Sequence, residues 1–203
     1  MKTKKVFLWT IVTLFAVGAV CLFLLWRYIY TPMSIGKMER FYAKHRTEME
    51  QLAAYANRAV DDSAYLWLHL FPNGDEDLHV SARETDDTLY HGIQTYDRDS
   101  LLRTVGMTGE EYGTIIQCLK DIGCIGISVT PDRRQTQIHY MYGGPFDEFP
   151  FGYFLYSAPM TDEELTGHLR NDHHVPCNDS VVFLMGWPNQ LAREKYLRKH
   201  NFN

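Results

Sequence analysis

The sequence contains none of the short patterns that fix a chemistry. It has no GxSxG nucleophile turn, no GxxxxGK[ST] phosphate loop, no GxGxxG dinucleotide fingerprint, no HExxH and no CxxC pair. Cysteine is scarce, with 4 in 203 residues. Cys21 lies in an apolar run, and the other three, Cys118, Cys124 and Cys177, cannot all pair within one chain. That excludes the disulfide-dense scaffold of small secreted domains. Free thiols are expected, with a Cys118–Cys124 bridge as the alternative. No period of about 20–50 residues recurs and no segment is of low complexity, so solenoid and propeller architectures are excluded. A positive excess is also missing. All 25 acidic residues and 16 of the 20 basic ones follow Thr31, leaving that part at −9. A surface so acidic is unsuited to nucleic acid, so none is expected as a partner.

One stretch lacks charge altogether. Residues 6–26, VFLWTIVTLFAVGAVCLFLLW, form an unbroken apolar run. As a helix it would extend about 31 Å, close to a bilayer's hydrocarbon thickness. Lys2, Lys4 and Lys5 precede it, Trp9 stands near its start, and Trp26, Tyr28 and Tyr30 close it. A basic flank with aromatic belts is the pattern of a single-pass signal anchor. The competing reading is a cleaved leader ending near Ala16 and Gly18, but the apolar residues continue well past that pair. The expected organisation is a short basic tail over 1–5, a transmembrane anchor over 6–30 that contacts lipid, and a single α+β domain over 31–203. The basic N-terminus places that domain outside the cytoplasm.

Beyond the run, Ser34 can cap a long helix whose stripe is Ile35, Met38, Tyr42, His45, Met49, Leu52, Ala56 and Ala59. The stripe is expected to pack on the domain's own sheet. A dimerising stalk is the alternative, and with it a homodimer. Alternating residues predict a strand over 63–70, a turn at Phe71-Pro72-Asn73-Gly74-Asp75 and a second strand near 78–83. A short strand near 88–95 is a further candidate. Thr108-Gly-Glu-Glu111 and Thr161-Asp-Glu-Glu164 are capping boxes, each opening a helix, the first ending at Gly123. Strands are expected over 124–130, 135–142, 151–157 and 181–185, then a last helix opened by Pro188. Short turns between successive strands imply a mostly antiparallel sheet, packed with about four helices.

Two residue sets stand out as candidate sites. Eight aromatics between Tyr140 and Tyr156 crowd one hairpin, and alternation forbids all of them from one core face unless both faces are covered. Either the hairpin is central and covered on both sides, or an aromatic tip drawn from Tyr142, Phe146, Phe149 and Tyr153 is exposed to meet a protein partner in the cell envelope. His168, Asp172, His173, His174 and Cys177 form the densest array of metal-ligand types. They supply an alternative reading, a metal-assisted hydrolase, with His139 assisting. His139 with His91 and Asp97 or Asp99 is a candidate acid–base group. The leading functional expectation is a membrane-anchored interaction domain with no cofactor. The hydrolase and the dimerising stalk are the alternatives.

Overall fold

The computed structural model describes residues 17–21, 33–62, 64–81, 98–142, 150–186 and 190–202. The membrane-spanning expectation is corrected. Among the described residues no helix is long and apolar enough to cross a membrane. Of the apolar run, residues 17–21 are described, and they are helical. The rest of 6–30 lies outside the described residues.

Among the described residues, seven strands and five longer helices follow. They are α1 (Ile35–Ala59), β1 (Tyr65–Leu70), β2 (Glu76–Ser81), α2 (Arg98–Thr104), α3 (Gly109–Ile122), β3 (Gly126–Val129), β4 (Gln135–Tyr142), β5 (Pro150–Tyr156), α4 (Asp162–Arg170), β6 (His174–Pro176), β7 (Val181–Leu184) and α5 (Gln190–Lys199). The strands form one antiparallel sheet in the order β2-β1-β3-β4-β5-β7-β6. The α+β class and the antiparallel sheet are those expected from the pattern.

Register explains how the core is built. One cross-strand row reads Leu78, Leu68, Ile127, Ile138, Tyr153, Phe183 and Val175. Each is no more than 1% exposed. Side chains alternate in a strand, so a slip of one residue would turn this whole row to the opposite face. The long α1 lies on the apolar face. Its stripe is buried at every expected position except His45, where the helix departs to φ −114°, ψ 19°. The stripe is buried in the domain's own core. Tyr42 packs 5.9 Å from Tyr153 between ring centres, and Asn57 Nδ2 donates to Thr136 Oγ1 at 2.9 Å.

The capping boxes form as the sequence implies. Thr108 Oγ1 accepts from the Glu111 backbone N–H, and Glu111 Oε2 accepts from that of Thr108 at 2.8 Å. Gly123 closes α3 in the left-handed conformation, φ 79°. Thr108→Ala removes one half of the reciprocal cap and is expected to cost about 1 kcal/mol. Unchanged chemical denaturation of that variant would refute the cap's contribution. All three cysteines past the run are free, and Cys124 is buried, its thiol pushed up to about 12 by desolvation.

Candidate functional site

The opposite face of the sheet carries the polar chemistry. Two adjacent rows run Asp77, His69, Gly126, His139, Gly152, Leu184, His174 and His79, Trp67, Ser128, Gln137, Phe154, Val182, Pro176. His139 therefore stands between two glycines. At Gly152 a Cβ would lie 2.6 Å from the Ile138 carbonyl oxygen, so the strands approach there closer than any side chain allows. His139 is 4% exposed, and its Nε2 lies 3.0 Å from Ser128 Oγ. Its Nδ1 has no hydrogen-bond partner among the described residues. Burial, with the neighbouring His69 adding to it, lowers the imidazole to about 4. His139 is thus neutral near pH 7 and a weak base. Trp67 packs edge-on to both His79 and His139, at 4.7 and 6.1 Å between ring centres, and His79 Nε2 is 3.2 Å from Asp77 Oδ1.

The other end of this face is covered by α4. Tyr156 donates its hydroxyl proton to Gln135 Oε1 at 2.9 Å. Its oxygen is then the acceptor for His168 Nε2–H at 2.6 Å. That assignment leaves His168 Nδ1 as a lone-pair acceptor, so the proton in the 2.8 Å contact with His174 Nδ1 belongs to His174. The result is a directed chain from His174 through His168 and Tyr156 to Gln135. Burial lowers both imidazoles, His174 to about 4 with His168, His173 and Arg193 contributing, whereas Glu164 acts upward on His168.

The proposed metal ligands do not converge. His168 and His174 bond each other. Asp172 points toward Arg193 Nη1 at 4.0 Å, with its side chain 66% exposed. His173 Nδ1–H donates to the Met185 carbonyl at 2.9 Å. Cys177 interacts with Tyr196, and burial raises its thiol. Among the described residues no group of three or more His, Cys, Asp or Glu side chains is placed to hold a metal ion. Of the acid–base candidates, His91 and Asp97 lie outside the described residues, and Asp99 sits exposed on α2 beside Arg98.

The aromatic-tip residues divide differently. Phe146, Phe149 and the side chain of Tyr142 lie outside the described residues. Tyr153 is fully buried, its hydroxyl donating to the Met38 carbonyl at 3.2 Å, and it is a core residue.

A concave surface lies on the helical side, between α1 and α3. It encloses about 560 Å³ and is lined by Leu52, Tyr55 and Ile122 with Cys118 beside them, under a rim that includes Glu48, Arg58 and Asp121. Sequence reasoning placed α1 on the sheet, with a dimerising stalk as the alternative, and missed this groove. The signal was there, because Tyr55 sits off the stripe and Cys118 falls between the apolar positions of α3. The Tyr156–Gln135 relay was missed too, although Gln135, Gln137 and His139 share one parity on β4. No family model, no curated protein and no solved structure matches this chain.

Proposed function

We propose that the chain is a binding domain, and that the groove between α1 and α3 receives an amphipathic helix of a protein partner. The groove itself carries this reading. Its apolar floor and its rim of both charge signs complement a helix with one apolar face and mixed flanking charges. The polar face offers less to a reaction, because Ser128 and His139 are 6% and 4% exposed.

The test is affinity capture with the full-length chain against an Ala54→Arg variant. Ala54 lines the groove and is exposed, so arginine there obstructs the groove without entering the core. A partner retained by the native chain and lost by at least tenfold in the variant is the expected result. In the captured complex, Cys118 should react with a maleimide at least tenfold more slowly than in the free chain. Equal recovery by both chains, with Cys118 equally reactive, would overturn the reading.

A further inference from the structure

The helical side of the sheet carries a second surface, separate from the groove. Helices α1 and α5 lie side by side there, because both reach the same core residue. Phe183 is 6.4 Å from Tyr42 of α1 and 6.5 Å from Tyr196 of α5 between ring centres. Each helix therefore turns its opposite face away from the sheet. On α1 that outer face carries Lys37, Arg40 and Lys44, spaced three and four residues apart behind the buried Met38 and Tyr42. On α5 it carries Leu191, Lys195, Arg198 and Lys199, behind the buried Tyr196 and Leu197. All six cations are exposed.

The charge on this surface opposes that of the domain around it. The chain past Thr31 stands at −9, yet residues 37–44 and 191–199 contain two carboxylates, Glu39 and Glu194. Glu39 is half-buried beside Tyr196, and Glu194 lies 3.4 Å from Arg198. Next along α1, Arg46 and Glu50 neutralise each other at 2.7 Å, and Glu48 turns to the groove rim. Among the described residues Lys37, Arg40, Lys44, Lys195 and Lys199 enter no ion pair. An acidic domain with one basic face is a dipole, and an anionic surface orients it with the acidic remainder turned away.

We propose that this basic face of α1 and α5 docks the domain onto a bilayer surface rich in anionic lipid, its cations meeting headgroup phosphates and Leu191 entering the interface. Three features single out lipid as the occupant. Four of the six cations are lysines, flexible point charges that suit a diffuse layer of phosphates better than a shaped carboxylate site. Leu191 is 79% exposed in their midst, the most exposed large apolar side chain among the described residues. Cations around an exposed aliphatic are the make-up of an interfacial helix. The uncharged run over residues 6–26 also leads into this end of the domain, eight residues before α1 begins. Each cation near an anionic leaflet strengthens attachment about fivefold, so the six act together.

The experiment is lysine acylation footprinting, read by mass spectrometry, on the full-length protein with equal lipid as two kinds of vesicle. One is pure phosphatidylcholine, and the other contains about 30% phosphatidylglycerol. Lys37, Lys44, Lys195 and Lys199 should be acylated about fivefold more slowly on the anionic vesicles, while Lys120, exposed on α3 outside this face, is unchanged. The difference should vanish near about 0.5 M salt, where the screening length falls to about 4 Å. An Arg40→Glu, Arg198→Glu double variant keeps all four lysines as reporters and should lose the protection. Equal acylation of the four lysines on both vesicles, slowing shared equally by Lys120, or undiminished protection in the double variant would each overturn the proposal. So would the same protection produced on neutral vesicles by inorganic phosphate or by polyglutamate, the first marking a phosphate site and the second an acidic protein partner.

Discussion

Tyr153→Ala is expected to destabilise the domain by about 3–5 kcal/mol, with the melting temperature falling on the order of 10 °C. The ring lies in the seven-residue apolar row between Ile138 and Phe183 with 0% exposure, and its ring neighbours come from both α1 and the sheet. Phe183 meets it at 5.6 Å between ring centres, Tyr42 at 5.9 Å and Phe41 at 6.2 Å. Truncation opens a cavity between α1 and the sheet that the flanking strands cannot collapse into. Tyr153→Phe separates the two contributions of the residue. It keeps the ring and loses the hydroxyl's contacts with the Met38 carbonyl and Sδ, a cost of about 1 kcal/mol. Chemical denaturation of both variants measures the difference. Equal losses would mean that the hydroxyl, not the ring, dominates.

Arg193→Met should cost about 3 kcal/mol, a large effect for one residue on a surface helix. The guanidinium is 7% exposed and donates to three main-chain carbonyls. Nε reaches His174 O at 2.9 Å, and Nη2 reaches Leu169 O at 2.7 Å and Asn171 O at 3.2 Å. These carbonyls belong to the end of α4, its cap and β6, so one side chain of α5 ties three segments together. Methionine fills similar volume but leaves the carbonyls without their donor. The carboxylate of Asp172 contributes little, being 4.0 Å away and mostly exposed. Urea denaturation of the variant tests this, and a loss below about 0.5 kcal/mol would refute the clamp.

These two residues also show which parts of the structure were readable from the sequence. Tyr153 lies in a strand whose alternation was plain, and the strand over 135–142 appears with the same bounds. Both capping boxes announced their helices because the signal is local: a hydroxyl and a carboxylate three residues apart. Arg193 was different. It sits in a cationic run that reads as ordinary dipole complement, and its partners lie 19 to 24 residues away. Nothing near it in sequence distinguishes a buried guanidinium from an exposed one. Helix α2 was missed because Leu101 and Leu102 are its only buried residues, too few to set a period. Strand β6 was missed because three residues hold no alternation to detect.

The candidate site followed the same division. Histidines on strands were visible as a set, but the pairing of His168 with His174 depends on α4 folding back over the sheet. A ligand cluster inferred from sequence proximity became a hydrogen-bonded pair, a carbonyl contact and an exposed carboxylate once the backbone was laid out. The apolar run over 6–26 shows the converse. Its composition met the requirement for spanning, whereas among the described residues no helix is long and apolar enough to cross a membrane.

The three residues of β6 have a consequence for self-association. A terminal strand exposes outward amide groups to which another chain can add, the usual route to aggregation. Here the outward groups of His174 are already engaged, its N–H by Asn171 O at 3.0 Å and its carbonyl by Arg193. Two residues on, Pro176 has no N–H to offer. An incoming strand would find almost no ladder to extend on this side of the sheet.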